Sequence, residues 1–509
     1  MSLNLATMLR ESAVGHPNKP VALFDGGRLS YGELDALSDR FAVGLRASGL
    51  AIGDRVGIQL PNIPQFLIAY FGVLKAGCIA VPLNVLLKAP ELAYCLGDAQ
   101  ARTLVTWAGI ADEAIKGAGD AAVPTVYIVN TPGVPKSPAG RQFEELLARE
   151  PTVPPMAQTD PGDTAVIVYT SGTTGTPKGA ELTHFQLFMN ADTPGRVFGI
   201  RDDDIVMVAL PLFHVFGLSS QLNVCVRFGA TMSLVARFDP AKALEVIQRD
   251  GVTIFEGVPT MYIAVLHHPN VEAYDVSTLR IGISGGAPLP AEVLDAFEER
   301  FGIVILEGYG LTETASTTTF NVSVDERKIY SVGKPIWGVE VEIWDDANRP
   351  LPPGSENVGE IVIRGVNTMR GYFRKPEETA EAFTDGWFHS GDLGYCDEDG
   401  FYFIVDRKKD LIIRSGYNVY PREVEEVLYT HPAVATTAVI GVPDDRVGEE
   451  IKAFVQLKTG ATATEDEIID YVKERIAAYK YPRIVEFSDD LPIGPTGKVL
   501  KKELKTLVA

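Results

Sequence analysis

The segment 169–179 constrains this chain most, because a buried strand runs directly into a loop rich in glycine and hydroxyl side chains. The apolar residues 165–168 predict the strand, and the loop reads Tyr-Thr-Ser-Gly-Thr-Thr-Gly-Thr-Pro-Lys-Gly. Its glycines let backbone N–H groups turn inward, its hydroxyls add donors, and Lys178 supplies a positive charge. The loop therefore suits a polyphosphate, and a solvated surface turn is the alternative interpretation.

Two common nucleotide-binding loops do not match this segment. The NTPase pattern needs a Lys followed by Ser or Thr directly after its second glycine, whereas Thr176 and Pro177 intervene here and Gly179 follows the Lys. The Rossmann pattern G-x-G-x-x-G is absent as well. We therefore expect a phosphate-binding loop of another class.

Length, charge and cysteine content limit the class of protein. A chain of 509 residues is too long for one hydrophobic core, so two or more domains are expected. A net charge of −21 argues against a general nucleic-acid binder, because phosphate backbones attract basic surfaces. The four cysteines are scattered without a C-x-x-C or His/Cys cluster, which is typical of a reducing compartment without structural zinc. We see no secretory signal and expect a cytoplasmic protein.

One segment, 205–226, carries no charged side chain and is nominally long enough to span a bilayer. Its interior nevertheless contains proline, histidine, serine, glutamine and asparagine. The proline and these polar residues favour a buried strand and helix that line a pocket. We therefore predict no transmembrane segment.

Helical and strand patterns alternate through the first 330 residues, which predicts an α/β fold with a largely parallel sheet. Short β-like runs follow, at 339–343, 359–363 and 400–405, and indicate a β subdomain. The charged run 406–410 separates two apolar stretches and indicates an exposed joint. Beyond it the pattern predicts a small α+β unit of about 100 residues.

Four further segments carry residues suited to nucleotide chemistry. A tyrosine such as Tyr309 can stack on a base, Thr312 can donate to a phosphate, and Glu313 can hold Mg²⁺. The carboxylate of Asp392 suits two adjacent hydroxyls. The segments are Arg-Ile-Gly-Ile-Ser-Gly-Gly-Ala-Pro-Leu at 280–289, Glu-Gly-Tyr-Gly-Leu-Thr-Glu at 307–313, Gly-Trp-Phe-His-Ser-Gly-Asp at 386–392, and Leu-Pro-Ile-Gly-Pro-Thr-Gly-Lys at 491–498.

In this order, with Asp-Arg-Lys-Lys at 406–409, the segments resemble the signatures of the adenylate-forming superfamily, which includes acyl-CoA synthetases, firefly-type luciferases and peptide-synthetase adenylation domains. The resemblance spans nearly the whole chain and is strongest to bacterial long-chain fatty-acid CoA ligases. It implies a large N-terminal domain, 1–406, with two α/β subdomains and a β subdomain at about 1–160, 161–330 and 331–406. A hinge at 407–410 and a small mobile α+β lid at 411–509 would follow.

The same resemblance assigns the site residues. The catalytic set is Lys498, Thr312, Glu313 and His214, with Glu313 as the Mg²⁺ ligand, and Lys409 occupies the hinge position. A charged surface turn is the alternative for the hinge, and a core histidine is the alternative for His214. ATP and AMP would contact Thr170, Ser171, Gly172, Thr173, Thr174, Gly175, Lys178, Gly286, Ala287, Glu307, Gly308, Tyr309, Gly310, Thr312, Asp392, Arg407 and Lys498.

The acyl pocket is predicted from the apolar run 211–218. Amino-acid-activating relatives usually place an Asp just after this region, and none occurs between Phe213 and Val226, so an apolar acid is favoured. By resemblance the coenzyme A path contains Ser415, Gly416 and Tyr417. The predicted pocket residues are Phe213, His214, Val215, Gly217, Val258, Thr260, Gly286 and Gly310.

The resemblance implies an ATP-dependent ligase that joins a medium- or long-chain fatty acid to coenzyme A through acyl-AMP, releasing pyrophosphate and AMP. Aryl acids such as coumarate or benzoate are the nearest alternative. The expected partners are therefore fatty acid, ATP, Mg²⁺ and coenzyme A, and no nucleic acid. Peripheral membrane contact, and the choice between monomer and homodimer, stay open.

Two other classes of function are compatible with parts of the sequence. The residues around Ser284 match G-x-S-x-G, the nucleophile elbow of α/β-hydrolases, for which His389 or His431 would have to supply the base. The second class is a non-catalytic nucleotide-binding module. The hydrolase rests on a five-residue pattern, whereas the ligase rests on several motifs in order.

Overall fold

The computed structural model describes residues 2–151, 155–170, 176–444, 446–494 and 499–507. Over these residues the strands form four sheets, two in α/β layers, one antiparallel, and one in a small C-terminal unit. The predicted fold class, a large α/β N-terminal part with a smaller α+β C-terminal part, is confirmed.

The first sheet joins the middle of the chain to its beginning. Its central strands run parallel from Val304–Tyr309 to Pro20–Phe24, and short antiparallel strands close both edges. Most of its central residues are buried, as expected for a parallel sheet covered on both faces. Among the described residues its strand order is Lys334–Pro335, Thr319–Phe320, Val304–Tyr309, Ile281–Ser284, Ile254–Gly257, Ile205–Val208, Thr231–Leu234, Pro20–Phe24, Gly27–Ser30.

The second sheet contains strands from both sides of residue 160. The hairpin Thr164–Thr170 and Lys178–Thr183 extends a parallel sheet built from earlier residues. The sheets therefore do not follow the predicted subdomain boundary at 160, because parallel strands pair across long connections. Among the described residues its order is Gly371–Tyr372, Lys178–Thr183, Thr164–Thr170, Ile79–Pro82, Arg55–Gln59, Ala101–Trp107, Thr125–Val129, Arg141–Gln142.

The third sheet is the β subdomain predicted beyond residue 330, and its described strands pair antiparallel. The fourth sheet belongs to the C-terminal unit, defined as the described residues from 411 onward, which has an apolar core of its own. The third sheet contains Val339–Trp344, Gly359–Gly365, Trp387–Cys396, Phe383–Thr384 and Tyr402–Arg407, and the fourth contains Tyr417–Val419, Ile412–Arg414, Gly448–Leu457, Val434–Asp444 and Ile484–Phe487.

Several helices begin where their sequences predict. Capping boxes at Ser30 and Thr464 start two of them, with Glu33 and Glu467 at the third position. The described α-helices are Thr7–Gly15, Tyr31–Ala47, Pro64–Lys75, Ala89–Asp98, Ala111–Asp120, His184–Val197, Val224–Phe228, Pro240–Asp250, Pro259–Leu266, Ala291–Phe301, Pro376–Glu381, Pro421–Tyr429, Glu465–Lys473 and Lys501–Leu507.

The uncharged segment 205–226 forms the strand Ile205–Val208 and the π-helix Phe216–Asn223. The polar side chains of Ser219, Gln221 and Asn223 are buried in the π-helix. Such helices are rare and often occur at functional sites. No helix in the described part of the chain has the length and apolarity needed to cross a membrane.

Glu256 is a buried acid in the strand Ile254–Gly257, and only 2% of its surface is exposed. Its Oε1 atom has no hydrogen-bond partner within the described residues. Burial raises the pKa of Glu256 to about 8, from an ordinary 4.5. The side chain is therefore mostly protonated at neutral pH.

We expect Glu256→Gln to remove part of the pH dependence of stability. The folded pKa lies above the unfolded value, so the folded state holds a proton between about pH 4.5 and 8 that the unfolded state has lost. Stability due to this group therefore falls as pH rises through that window, by roughly 3–5 kcal/mol, and a neutral amide avoids the loss. In thermal melts at pH 5, 7 and 9, the melting temperature of the variant should rise relative to that of the wild type as the pH increases.

The matched control is Glu299→Gln, which changes an exposed glutamate on the helix Ala291–Phe301. Its melting temperature should follow the wild type at every pH. A Glu256→Gln curve parallel to wild type would show that Glu256 is ionised in the folded protein.

Candidate functional site

The predicted acyl and adenine residues lie at one edge of the first sheet. Its parallel strands end at Val208, Gly257, Ser284 and Tyr309, and the register pairs Gly257 with Ser284 and Ser284 with Glu307. Ligands of open α/β sheets bind outside the carboxyl ends of the strands. The segments that leave these ends carry His214, Thr260, Gly286, Ala287, Gly310, Thr312 and Glu313.

Glu313 links this edge to the second sheet. Thr170, the last residue of its strand, donates from Oγ1 to Glu313 Oε1 at 3.4 Å, and the hydroxyl of Tyr372 donates to the same oxygen at 3.0 Å. Burial raises the pKa of Glu313, and the hydrogen bonds from Tyr372 and Thr170 oppose that shift. The carboxyl ends of both α/β sheets therefore meet at one carboxylate.

The oxygen donors around Glu313 fit Mg²⁺. This ion prefers oxygen ligands and is usually held by one or two carboxylates together with substrate phosphates. Within the described residues there is no group of three or more His, Cys, Asp or Glu side chains that could hold a metal alone. A metal at Glu313 would therefore depend on the phosphates of the substrate.

Thr170 and Lys178 bracket the predicted phosphate loop and face each other across the hairpin. The Lys178 ammonium lies over the ring of Tyr372, 5.0 Å from its centre, and the hydroxyl of that tyrosine binds Glu313. Six predicted site residues, Ser171, Gly172, Thr173, Thr174, Gly175 and Lys498, lie outside the described residues.

A second polar cluster contains the predicted ribose and base residues. Arg407 Nε lies 3.0 Å from Asp392 Oδ1, and the hydroxyl of Tyr309 donates to Asp392 Oδ2 at 2.7 Å. The Asp392 carboxylate raises the pKa of Arg407, and burial raises the pKa of Tyr309. The cluster fixes both the carboxylate and the tyrosine ring.

Close packing explains the glycine at 310. A Cβ atom there would lie 1.4 Å from the carbonyl oxygen of Ser316, which no side chain allows. Asn190 holds the same loop by accepting from the N–H of Thr317 at 2.9 Å and donating to its carbonyl at 2.8 Å. The turn that carries Thr312 and Glu313 is therefore packed from both sides.

Glu307 and Gly308 lie on the predicted adenine side of the site. Glu307 is buried and accepts from the N–H of Leu289 at 3.3 Å, which ties the turn after Ser284 to the neighbouring strand. Burial raises the pKa of Glu307 to about 7. Gly286 in that turn has a φ of 80°, and Gly308 packs against Phe320.

The predicted acyl residues lie around the start of the π-helix. Val215 and Val258 are buried, while Phe213, His214 and Thr260 are half-buried. His214 Nδ1 accepts from the N–H of Phe216 at 3.2 Å. Gly217 is also buried and packs against the carbonyl of Pro211.

The predicted hinge residue lies beside the C-terminal unit, and the predicted coenzyme A residues lie within it. Lys409 is exposed in the turn after the strand Tyr402–Arg407. Ser415 and Gly416 form a hairpin turn with φ angles of 51° and 82°. The N–H of Ser415 donates to Val447, and the Tyr417 ring lies 4.8 Å from that of Tyr479, so their described contacts stay within this unit.

Family comparison agrees with this geometry. Residues 9–373 match the AMP-binding enzyme family, and residues 423–498 match the AMP-binding enzyme C-terminal domain. The chain belongs to the adenylate-forming superfamily.

Two curated relatives indicate the acyl-CoA synthetase branch of the superfamily. A long-chain-fatty-acid–CoA ligase of Bacillus subtilis (strain 168) is 38% identical over 98% of this chain and 94% of its own length. A feruloyl-CoA synthase of Amycolatopsis sp is 39% identical over 96% of each chain.

Two solved proteins share the whole fold. The anthranilate CoA ligase AuaEII, in complex with anthranoyl-AMP, has a TM-score of 0.94 at 30% identity, covering 100% of this chain and 97% of its own. MatB from Rhodopseudomonas palustris, at 34% identity with 100% and 99% covered, has a TM-score of 0.90 in its ATP-bound form and 0.80 in its apo form. At the same identity and coverage, the ATP-bound form of MatB therefore superimposes on this chain better than the apo form does.

The geometry at Ser284 contradicts the hydrolase interpretation. A nucleophile elbow exposes its serine on a strained turn beside a histidine. Ser284 instead ends a regular strand, is 1% exposed, and its Oγ has no hydrogen-bond partner among the described residues. His389 bonds to Thr384 and pairs with Glu360, and His431 bonds to the N–H of Ala433, so the contacts of both histidines lie elsewhere.

Two contacts in this adenylate-forming enzyme escaped the sequence prediction. Tyr372 reaches Glu313 from a two-residue strand that pairs with the hairpin strand Lys178–Thr183. The ring of Phe216 packs over Gly285, where a Cβ would lie 3.0 Å away. An aromatic residue in sequence indicates burial and gives no partner, so neither contact was visible.

We expect Tyr372→Phe to weaken the site without unfolding the protein. The change removes one hydroxyl that orients the Glu313 carboxylate, and a hydrogen bond to a charged group is worth about 1.5–3 kcal/mol. Pyrophosphate exchange should slow about ten- to a hundredfold and need more Mg²⁺ to saturate.

The control is Tyr402→Phe, which removes a tyrosine hydroxyl bonded to the carbonyl of Val341, within the third sheet. It should leave the Mg²⁺ dependence unchanged. An identical Mg²⁺ titration for Tyr372→Phe and wild type would contradict the orienting role of Tyr372.

Proposed function

We propose that this enzyme is an ATP-dependent acid–thiol ligase that makes acyl-CoA through acyl-AMP, releasing pyrophosphate and AMP, with medium- or long-chain fatty acids preferred. Glu313 carries the proposal. It stands where both α/β sheets end and accepts from the hydroxyls of Thr170 and Tyr372, and the Lys178 ammonium lies over the ring of that tyrosine. A carboxylate and a cation flanking a phosphate loop are what a triphosphate with a divalent metal requires.

The first half-reaction brings two anions together, because a carboxylate attacks the α-phosphate of ATP. The site must therefore neutralise charge and align the reacting atoms. Lys178 and Thr312 stand at the phosphate side, and Lys498 would approach from the C-terminal unit with a charge that persists at neutral pH. Mg²⁺, when bound at Glu313, would neutralise phosphate charge.

The Asp392 cluster suits the ribose. Its carboxylate already accepts from Tyr309 and forms an ion pair with Arg407, yet an ionised carboxylate has about four acceptor positions. Two remain for the ribose hydroxyls, while the fixed ring of Tyr309 offers a face for the adenine. The nucleotide would then extend from Asp392 towards Glu313.

In the second half-reaction, a thiol must reach the position that Lys498 would occupy in the first. We propose that the C-terminal unit turns about Lys409 and brings the turn at Ser415, Gly416 and Tyr417 to the thiol path. Coenzyme A then attacks the acyl carbonyl and AMP leaves. His214, at the start of the acyl segment, would separate the acyl and thiol channels.

The acid is proposed from the apolar segment around the π-helix. Amino-acid activation would need a carboxylate for the substrate ammonium, and the residues between Phe213 and Val226 contain none. The B. subtilis relative named as a long-chain-fatty-acid ligase supports an alkyl acid. The relative named as a feruloyl-CoA synthase keeps an aryl acid as the second candidate.

A panel of acids tests the proposal. We expect pyrophosphate exchange into ATP to depend on added dodecanoate or hexadecanoate, in the absence of coenzyme A, and to exceed the rate with ferulate, coumarate or benzoate at least tenfold. The reverse order would assign the aryl function. Nucleotide binding without exchange on every acid would instead indicate a non-catalytic binding module.

We expect Lys498→Ala to lose acid-dependent pyrophosphate exchange by at least a hundredfold and to keep thioester formation from supplied acyl-AMP, since only the first step needs the added charge. Lys502→Ala, at an exposed position of the last helix, is the control and should keep both activities. Equal loss of both steps in Lys498→Ala would contradict two arrangements of the C-terminal unit.

A further inference from the structure

The helix Pro421–Tyr429 of the C-terminal unit takes its N-terminal cap from outside that unit. Its first residue is a proline, which has no N–H, and its N-cap residue is Tyr420, a residue type that does not cap helices. The first free N–H is that of Arg422, which donates to Asp406 Oδ2 at 2.9 Å. Asp406 therefore supplies the acceptor that the helix sequence lacks.

Asp406 belongs to the N-terminal part of the chain. It lies in the strand Tyr402–Arg407 of the third sheet, paired with Leu393, and is 8% exposed. Its Oδ1 atom accepts from the N–H of Arg407 at 2.7 Å, which fixes the side chain on its own strand. A negative charge at a helix N-terminus is also favoured by the helix dipole.

Arg422 and Lys501 strengthen this contact. The Arg422 guanidinium donates to the carbonyl of Ile404 on the same strand, so both its backbone and its side chain hold the helix there. Lys501, on the last helix, pairs with Glu425 at 2.7 Å and acts electrostatically on Asp406. Burial raises the pKa of Asp406, and the Lys501 charge opposes this shift.

These contacts cross the predicted hinge. Residues 407–410 lie between Asp406 and Arg422, and the apolar core of the C-terminal unit begins at Ile412. A rotation about Lys409 would leave Asp406 on its sheet and carry Arg422 away. The hydrogen bond is thus compatible with the present arrangement and would be broken by a large turn of the C-terminal unit.

We propose that Asp406 is a positioning residue that holds the C-terminal unit in the present arrangement and thereby favours the first half-reaction over the second. This rests on the proposed two-step function. It also fits the comparison above, in which the ATP-bound form of MatB superimposes on this chain better than the apo form does. Opening the unit for the thiol step requires the Asp406 bond to be released.

The test compares the two half-reactions in Asp406→Ala. Acid-dependent pyrophosphate exchange should fall about tenfold or more, while thioester formation from supplied acyl-AMP is unchanged or faster. Asp406→Asn keeps one acceptor oxygen, so its rate of pyrophosphate exchange should lie between those of Asp406→Ala and the wild type. Asp345→Ala is the control, because Asp345 also accepts backbone N–H groups and pairs with Arg349, but within the third-sheet region alone.

A readout independent of the reaction separates this proposal from the proposed function. Trypsin can cut after Arg407, Lys408 and Lys409, so release of the C-terminal unit should speed cleavage between the two parts several-fold in Asp406→Ala and leave Asp345→Ala unchanged. Equal loss of both half-reactions, or unchanged cleavage, would overturn the positioning role. Absence of exchange in the wild type would count against the ligase function, and the cleavage rates would then decide on Asp406 alone.

Discussion

The meeting of two sheet edges at Glu313 is the constraint on which the candidate site depends. Neither sheet alone provides both a phosphate loop and the turn that carries Thr312 and Glu313. The hydrogen bonds from Thr170 and Tyr372 bring these segments together, and Asn190 fixes the loop that follows. Because each partner comes from a different part of the chain, the site exists only in the assembled N-terminal fold.

The candidate site contains cations although the molecule as a whole carries a net negative charge. A chain with a net charge of −21 must bind ATP and a carboxylate, so its local cations matter more than its total charge. Lys178 lies over the ring of Tyr372, whose hydroxyl binds Glu313, and Arg407 pairs with Asp392. The ion pair between Arg407 and Asp392 leaves acceptor positions on the carboxylate for a ligand.

The sequence predicts features that depend on neighbouring residues, such as helix caps and motifs. It does not predict contacts between segments that are distant in the chain. The capping boxes at Ser30 and Thr464 are formed by residues close in sequence, and the helices begin directly after them; the ordered motifs pointed to Glu313 and Asp392. Tyr372 escaped because its role comes from pairing with a distant hairpin. The predicted boundary at 160 does not match the sheets for the same reason, since Pro20–Phe24 pairs with Thr231–Leu234.

One strand connects the nucleotide site with the C-terminal unit. Side chains alternate along a strand, so neighbours point to opposite sides. On Tyr402–Arg407, Arg407 reaches Asp392 in the site, whereas Asp406 reaches the helix Pro421–Tyr429. The proposed ribose residue and the residue that caps the helix are therefore neighbours on one strand. Under the proposed function, a nucleotide bound at Arg407 would act on the residue next to the one that holds the C-terminal unit, without any relay across the core.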